Sequence, residues 1–217
     1  NKDTCHSERS SSDLSRKNEV EKSHMIKFPA IALVVSGGHT QLILMKGLGQ
    51  YKIIGETRDD AAGECFDKTA RILGLGYPGG PAIAEQAAKH IANRQSPIVK
   101  LPRPMIEHKN YDFSFSGLKT AVLYELKKQT PKTRKDPKYI QAMCSENQQA
   151  IIDVLAAKTI KAAKEFKTKS IILGGGVTAN RELREQFQRK IKKEIPNSKF
   201  QIPDSVLSTD NAAMVAV

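Results

Sequence analysis

The sequence has no tryptophan, few other aromatic side chains, and only three cysteines in 217 residues. The cysteines are far apart and form no Cys-x-x-Cys pair, which argues against a disulfide framework or a cysteine-based zinc site. No apolar run approaches the roughly 18 residues that a membrane-spanning helix needs, and the first residues are too polar for a signal peptide. The sequence therefore predicts a protein of the reducing cytoplasm with no membrane partner.

Acidic residues are too few to balance the basic ones. The sequence has 23 Asp and Glu but 35 Lys and Arg, which gives a net charge of +12. This excess predicts a polyanionic partner, and the scarcity of aromatic residues favours phosphate contacts with a folded RNA over base stacking. The densest basic segment, residues 127–138, is interrupted by prolines and is expected to be an exposed loop. Basic helix faces at 158–169 and 189–193 are further candidates, and plain solvation of all these surfaces stays open.

Two short apolar runs, residues 31–35 and 42–45, flank a Ser-Gly-Gly turn and predict a tight β-hairpin. The amides of this turn, with the hydroxyls of Ser36 and Thr40, could form an anion-binding nest. An ordinary hairpin is the alternative, because Gly-Gly turns are common. A third strand is expected at residues 51–55.

A helix with one apolar face is expected to follow the Asp59-Asp60 pair, which would cap it, and to end near Leu73. Charged residues of opposite sign recur four residues apart along it, once between Glu64 and Lys68 and again between Asp67 and Arg71. The plain interpretation of Asp67 is therefore a surface ion pair.

Two further glycine-rich segments each open a helix. Residues 74–81 precede one helix, and a buried strand at 170–173 runs through residues 174–180 into another. This order of strand, glycine loop and helix lets a nucleotide approach the backbone, whereas a plain turn capped by Thr178 or Asn180 is the alternative. The glycine spacing matches neither GxGxxG nor a P-loop, which excludes dinucleotide and Walker-type sites.

Aromatic residues and serines alternate at residues 111–117, ahead of a further helix. These serines either face a cleft or cap the helix, and Ser114 and Ser116 are the candidate caps. One long helix, or two, is expected at 137–166. Near the end of the chain, Asp210 is either a plain helix N-cap or a carboxylate for a metal or the phosphate side of a ligand.

The glycine-rich turns together predict a two-layer nucleotide cleft, and their motifs resemble a known family. The family is bacterial TsaD, the tRNA adenosine threonylcarbamoyltransferases once labelled O-sialoglycoprotein endopeptidases, and the resemblance covers residues 28–217. The motifs that carry it are, in order, SGGHTQL at 36–42, DDAAGE at 59–64, FDKTA at 66–70, YPGGP at 77–81, DFSFSGLKT at 112–120, GGVTANR at 175–181 and TDNAAM at 209–214.

The resemblance implies an α/β fold of the actin-like ATPase class, in which RNase H-like lobes with mixed, helix-flanked sheets surround a nucleotide cleft. Residues 28–217 would form the second lobe, incomplete at both ends. Residues 1–27 are rich in Ser, Lys and Glu and almost devoid of apolar side chains, so a flexible or disordered segment is expected there. The implied activity transfers the threonylcarbamoyl group of threonylcarbamoyl-AMP to an adenosine amine. That adenosine lies beside the anticodon in tRNAs reading codons that begin with A.

By motif position, the resemblance also implies the residues of the site. The phosphate side of the substrate would be bound by Val34, Val35, Ser36, Gly37 and Gly38, its nucleoside part by Asp67, Gly80 and Asn180, and a metal by Asp210. His39 would line the cleft as a hydrogen-bonding residue.

The implied cofactor is one divalent metal ion per subunit, iron or zinc. The implied partners are tRNA, threonylcarbamoyl-AMP or another adenine nucleotide, a smaller paralogous TsaB-like subunit and a TsaE-like ATPase. A metal and a ring of backbone donors suit this chemistry, because both stabilise charge on the carbamoyl oxygen and the departing phosphate.

The sequence departs from the family pattern in two ways. The family's other two metal ligands are a helical His-x-x-x-His pair, and none of the five histidines forms such a pair. The family's N-terminal lobe, with its first phosphate loop, has no counterpart in the matched motifs, so the chain is expected to be an inactive fragment that lacks this lobe. A small-molecule kinase of the same superfamily and a non-catalytic lobe that binds RNA or protein stay open as alternatives. A metalloprotease is disfavoured because a His-Glu-x-x-His helix is absent.

Overall fold

The computed structural model describes residues 26–93 and 99–203. Within these ranges the chain forms five β-strands and six α-helices, with a short 3-10 turn at Gly176–Ala179. In chain order they are β1 (Ala30–Val35), β2 (Thr40–Gly47), β3 (Gln50–Glu56), α1 (Ala62–Ile72), α2 (Gly79–Ala92), α3 (Ser116–Lys128), α4 (Pro131–Arg134), α5 (Pro137–Glu165), β4 (Ser170–Gly174), α6 (Arg181–Glu194) and β5 (Lys199–Gln201).

The strands form one mixed sheet in the order β3-β2-β1-β4-β5. β1 pairs antiparallel with β2, and β2 pairs antiparallel with β3, as the hairpin pattern predicts. β4 runs parallel to β1 and β5 runs parallel to β4, and a parallel neighbour requires a crossover connection. Helices α1 to α5 lie in the connection from β3 to β4, and α6 lies in that from β4 to β5. The predicted α/β class, with a mixed sheet flanked by helices, is confirmed.

The core lies between one face of the sheet and the helices. Ile31 and Leu33 of β1, Leu42 of β2 and Ile171 of β4 are fully buried, and they belong to a single apolar cluster with Phe66 of α1. α5 is the central helix, since more than half of its 29 residues are buried. None of the helices in residues 26–93 and 99–203 is long and apolar enough to cross a membrane.

The basic segment at 127–138 is not the loop that its prolines suggest. It contains the end of α3, the whole of α4 and the first two residues of α5. Each proline stands at the first position of a helix, where a missing amide costs nothing, and each follows a capping residue. Thr130 Oγ1 accepts from the Thr133 amide at 3.2 Å, and an Asp136 oxygen accepts from the Lys138 amide at 3.0 Å.

The remaining expectations have mixed outcomes. One helix, not two, covers most of residues 137–166. The start of α1 is also different, because its N-cap residue is Ala61 while Asp60 forms ion pairs with Lys68 at 2.7 Å and Lys119 at 3.3 Å. The predicted flexible segment at 1–27 falls outside the described residues except at its end, where the Lys27 amide donates to Ser170 Oγ at 2.9 Å.

Candidate functional site

The turn between β1 and β2 uses its own polar groups internally. Ser36 Oγ accepts hydrogen bonds from the amides of Gly38 at 3.3 Å and His39 at 3.1 Å. The hydroxyl of Thr40 is buried and accepts from the Ala62 amide at 2.9 Å, at the start of α1. These groups hold the turn and the first turn of α1 in place, and binding of an anion by the turn stays a prediction.

Helix α1 begins directly against this turn because Gly63 has no side chain. The Gly63 amide donates to the Ser36 carbonyl at 3.2 Å, and a Cβ on Gly63 would lie 2.5 Å from that oxygen and 2.8 Å from the Cα of Gly37. Sequence reasoning misses Gly63 as a site residue. The available signal is a glycine in the first turn of an otherwise regular helix, where it costs helix stability and so needs a reason.

Asp67 of α1 holds the start of α2. Its Oδ1 accepts a hydrogen bond from the Gly79 amide at 2.8 Å, and a Cβ on Gly79 would lie 2.5 Å from the Asp67 Cα. The expected Glu64–Lys68 ion pair is present at 2.8 Å. The expected pair between Asp67 and Arg71 is not found in the described part of the chain, so the ion-pair interpretation of Asp67 is wrong. Its carboxylate binds a helix N-terminus.

The loop after β4 passes close to the end of β1. Gly175 has a φ of 94°, and a Cβ there would lie 2.4 Å from the Val35 carbonyl oxygen, so only glycine fits. Thr178 Oγ1 donates to the Gly175 carbonyl at 2.7 Å and closes the 3-10 turn. Asn180 then caps α6, since its Oδ1 accepts from the Leu183 amide at 3.0 Å. The predicted capping role of Asn180 is confirmed.

The hairpin turn with the start of α1, the start of α2 and the loop before α6 surround one cavity of about 520 Å³. Gly37 of the hairpin turn, residues in the first turns of α1 and α2, and the start of α6 line it, and Phe66 and Ala84 give it an apolar wall. The first amides of a helix have no partner within the helix, and the helix dipole places positive charge there. Three such N-termini at one cavity suit the phosphate of a nucleotide, while the apolar wall suits its base.

The cavity gathers some of the predicted site residues and not others. Its lining includes Gly37, Asp67, Gly80 and Asn180. It does not include Val34, Val35, Ser36 or Gly38, which form the end of β1 and the turn beside it. His39 is exposed and also outside the lining, and its expected place in the cleft stays a prediction. Contact of the predicted residues with substrate stays a prediction. Gly63 and Arg181 line the cavity without having been predicted.

The predicted metal ligand lies outside the described residues, since Asp210 follows residue 203. Within the described ranges, no three His, Cys, Asp or Glu side chains form a group that could hold a metal ion. The metal and its ligand therefore stay predictions.

The two described cysteines are not candidates for a nucleophile. Cys65 and Cys144 are buried free thiols, and burial raises the pKa of each to about 12. A thiol attacks as its thiolate, which these two side chains do not reach near neutral pH.

The residue that holds the start of α3 is Asp59, and not Ser114 or Ser116 as expected. Its Oδ2 accepts from the hydroxyls of Ser114 and Ser116, both at 2.6 Å, and its Oδ1 accepts from the Phe115 amide at 2.8 Å. The serines are therefore donors to a carboxylate 55 or more residues away, and their predicted role as caps is wrong. Burial acts to raise the pKa of Asp59, but the hydroxyl and amide bonds together bring it below its ordinary value.

We expect Asp59→Ala to lower the free energy of unfolding by about 1 to 2 kcal/mol near neutral pH, because the start of α3 loses its acceptor. A carboxylate with a depressed pKa stabilises the fold above its unfolded-state pKa and stops doing so as pH falls through its folded-state pKa. Urea unfolding at about pH 7 and about pH 3 should therefore show a gap between wild type and variant that shrinks in acid. An equal gap at both pH values would contradict the ionised role of Asp59.

Comparison with known proteins identifies close relatives. A family model described as TsaD, tRNA N6-adenosine threonylcarbamoyltransferase, matches residues 14–217. Curated tRNA N6-adenosine threonylcarbamoyltransferases of Geobacillus kaustophilus, Syntrophomonas wolfei and Listeria monocytogenes are 50%, 48% and 45% identical to this chain. Each match covers 88% of this chain, and 54%, 54% and 53% of the respective relative.

This chain thus spans about half the length of the curated relatives it matches. Among solved structures, a match is component A of the (R)-2-hydroxyglutaryl-CoA dehydratase of Acidaminococcus fermentans. It has a TM-score of 0.46 and 17% identity, and covers 82% of this chain and 56% of that one. On the match of the family model and the identity to its curated members, the chain belongs to the TsaD family, the tRNA N6-adenosine threonylcarbamoyltransferases.

Proposed function

We propose that the complete gene product transfers the threonylcarbamoyl group of threonylcarbamoyl-AMP to the adenosine beside the anticodon, in tRNAs reading codons that begin with A. The observation that supports this most is the cavity of about 520 Å³ at which the N-termini of α1, α2 and α6 meet. Family membership supplies the reaction, and this cavity supplies a place for the adenylate half of the donor. The chain would contribute one side of the nucleotide cleft.

The reaction places specific demands on the site. The exocyclic amine attacks the carbamoyl carbon, the bond from that carbon to the phosphate oxygen breaks, AMP leaves, and the amine loses a proton. Negative charge grows on the carbamoyl oxygen and on the departing phosphate. The dipoles of the three helices would stabilise the phosphate with the positive charge at their N-termini, because these dipoles are fixed before the reaction begins. Phe66 and Ala84 would hold the adenine by apolar contact.

Asp67 and Asn180 would act in this site mainly by positioning. Asp67 fixes the start of α2 through the Gly79 amide, while Asn180 caps α6 and donates through Nδ2 to Gln148 Oε1 at 2.7 Å. Arg181 brings a cation to the edge of the cavity, where its exposed side chain pairs with Glu185 at 2.7 Å.

For the complete protein we also propose one divalent metal ion, iron or zinc, with Asp210 among its ligands. When bound, such an ion would add Lewis-acid stabilisation of the same negative charges. The proposed partners are tRNA, a smaller TsaB-like subunit and a TsaE-like ATPase, and the proposed location is the cytoplasm. Family membership supports the tRNA, and the other partners and the metal rest on the resemblance of the motifs.

Gly80 allows a direct test of the cavity. A Cβ at Gly80 would meet nothing within 4 Å, so Gly80→Val should fold normally, yet its side chain would occupy space in the cavity. We expect the complete gene product to form threonylcarbamoyladenosine on unmodified tRNA when supplied with threonylcarbamoyl-AMP. The Gly80→Val variant should have a KM for that donor raised by about tenfold or more. Mass spectrometry of the tRNA nucleosides measures the product.

Gly76→Val is the matched control, because Gly76 also has open space around its Cβ but does not line the cavity. It should retain wild-type kinetics. An equal rise of the KM in Gly80→Val and Gly76→Val would contradict binding of the donor in this cavity. A complete protein that leaves tRNA unmodified while phosphorylating a sugar or acetate would replace the transferase with a kinase.

A further inference from the structure

Most basic residues on α5 and α6 are already compensated within the protein. Lys164 pairs with Glu194 at 2.6 Å, and Lys190 pairs with Asp153 at 3.3 Å. Lys158 is not on the surface at all, since it is 1% exposed and donates to backbone carbonyl oxygens. The basic helix faces at 158–169 and 189–193 therefore offer less free charge than their sequence suggests.

Residues 127–138, here called the basic corner, are different. They contain six Lys and Arg and a single carboxylate, Asp136, which caps α5. Four of the lysines are exposed and form no ion pair with any carboxylate of the described ranges. They are Lys127, Lys132, Lys135 and Lys138. The basic corner is thus a concentration of uncompensated positive charge.

Arg134 gives the basic corner a fixed shape. Its Nε donates to the Gln129 carbonyl at 2.9 Å and its Nη2 donates to the Lys127 carbonyl at 2.7 Å. These bonds satisfy carbonyl oxygens at the end of α3, which have no partner within the helix, and fold α4 back against that end. Lys132 of α4 and Lys135 directly after it are therefore held beside the lysines of α3.

An exposed aromatic residue lies next to these charges. Tyr124 is 59% exposed and precedes Lys127 and Lys128 by three and four residues on α3. Residues at these spacings share one face of a helix. An aromatic ring beside cations suits RNA, whose bases stack on such rings while its phosphates contact the cations.

We propose that the basic corner contacts the backbone of the tRNA and that Tyr124 stacks on one of its unpaired bases, an inference that rests on the proposed function and deepens it. Asp59, in the loop before α1, holds the start of α3, and the first turn of α1 lines the cavity. The 13 residues of α3 place the basic corner about 20 Å from the start of that helix. A tRNA is large enough to contact both the cavity and the basic corner, and it carries phosphates along its whole length.

The test uses the complete gene product, unmodified tRNA and the triple variant Lys127→Glu, Lys132→Glu, Lys135→Glu. Fluorescence anisotropy at low salt should show tRNA affinity reduced by about tenfold or more. The slope of log K against log salt should become shallower by about 2 to 3, because about three phosphate contacts are lost. At saturating tRNA the transfer rate should equal that of wild type, since the cavity is unchanged.

The matched control reverses the same number of charges on another surface, with Lys169→Glu, Lys192→Glu and Lys193→Glu. This control should change tRNA affinity by less than about threefold. Equal losses in both triple variants would mean that net charge alone acts, and would overturn the basic corner. If the first triple variant binds tRNA with wild-type affinity and still modifies it, the basic corner is not a contact surface, while the proposed transferase function stands. A wild-type protein that neither binds nor modifies tRNA would refute the proposed function itself.

Tyr124 has a separate readout. Tyr124→Ala should weaken tRNA binding by about fivefold without changing its salt dependence, and Tyr124→Phe should restore binding because the ring is kept. Loss of affinity in both variants, or in neither, would exclude stacking on this ring.

Discussion

Gly175→Ala is expected to lower the free energy of unfolding by about 3 kcal/mol or more. Two costs combine at this position. The backbone has a φ of 94°, which residues other than glycine rarely adopt. A Cβ would also lie 2.4 Å from the Val35 carbonyl oxygen and 3.2 Å from the Val35 nitrogen. Both contacts are with backbone atoms of a central strand, so a rotamer change cannot relieve them.

The structure can respond only by moving the loop after β4 away from β1. That loop carries Val177 and Asn180 to the cavity, so the movement would widen the cavity and weaken nucleotide binding. Urea unfolding measures the first effect. Calorimetric titration of the complete gene product with an adenine nucleotide measures the second.

Gly74→Ala separates the two costs. Gly74 has a φ of 73°, but a Cβ there would meet nothing within 4 Å. The control should therefore show only the backbone cost, about 1 to 2 kcal/mol, and normal nucleotide binding. Equal destabilisation by the two variants would show that contact with Val35 is not what makes Gly175 necessary.

The local sequence pattern was sufficient to predict most of the strands and helices. The apolar runs at 31–35 and 42–45 and the strand at 170–173 appear as β1, β2 and β4, because strand period and glycine-rich ends are properties of neighbouring residues. The glycine loop after β4 was predictable for the same reason, together with Asn180 as the cap of α6. Four of the predicted substrate residues meet at the cavity because the motifs lie at strand ends and helix starts.

Contacts between distant parts of the chain were not predictable. Asp59 precedes α1 in the sequence and so resembles its cap, yet its carboxylate binds Ser114 and Ser116 at the start of α3. Asp67 and Arg71 have ion-pair spacing, yet the Gly79 amide binds Asp67. In each case the wrong partner was near in sequence, and the actual partner became available only after the chain had folded.

The number of charged residues in the sequence likewise did not reveal which of them are exposed and unpaired. Lys158 belongs to a series of lysines that suggests a solvated helix face, but its Nζ donates to the carbonyls of Asn110 at 2.8 Å and His108 at 3.3 Å. Burial lowers the pKa of this lysine. In residues 127–138, Lys128 pairs with Glu125 at 3.1 Å, whereas Lys127, Lys132, Lys135 and Lys138 are exposed and pair with no carboxylate of the described residues. Pattern gave the number of cations, and only the fold shows which remain available to a partner.

Arg103→Met is expected to lower the free energy of unfolding by about 3 kcal/mol, because it leaves Glu146 of α5 without its cation and Asp153 with Lys190 alone. The guanidinium of Arg103 bonds to Glu146, to Asp153 Oδ2 at 3.2 Å and to the Leu101 carbonyl at 2.7 Å. The side chains of Arg103, Glu146 and Asp153 are only 22%, 13% and 25% exposed, so water replaces the lost bonds poorly. Urea unfolding at about pH 7 measures the loss.

Two comparisons show whether burial of this network is the cause. Lys89→Met removes the pair with Glu85, whose side chains are 48% and 67% exposed, and should leave the free energy of unfolding nearly unchanged, because exposed pairs contribute little. Glu146→Gln in the Arg103→Met background should recover part of the loss by removing one unpaired charge. A similar cost for Arg103→Met and Lys89→Met, or a double variant that is less stable than Arg103→Met alone, would show that desolvated charge is not what Arg103 neutralises.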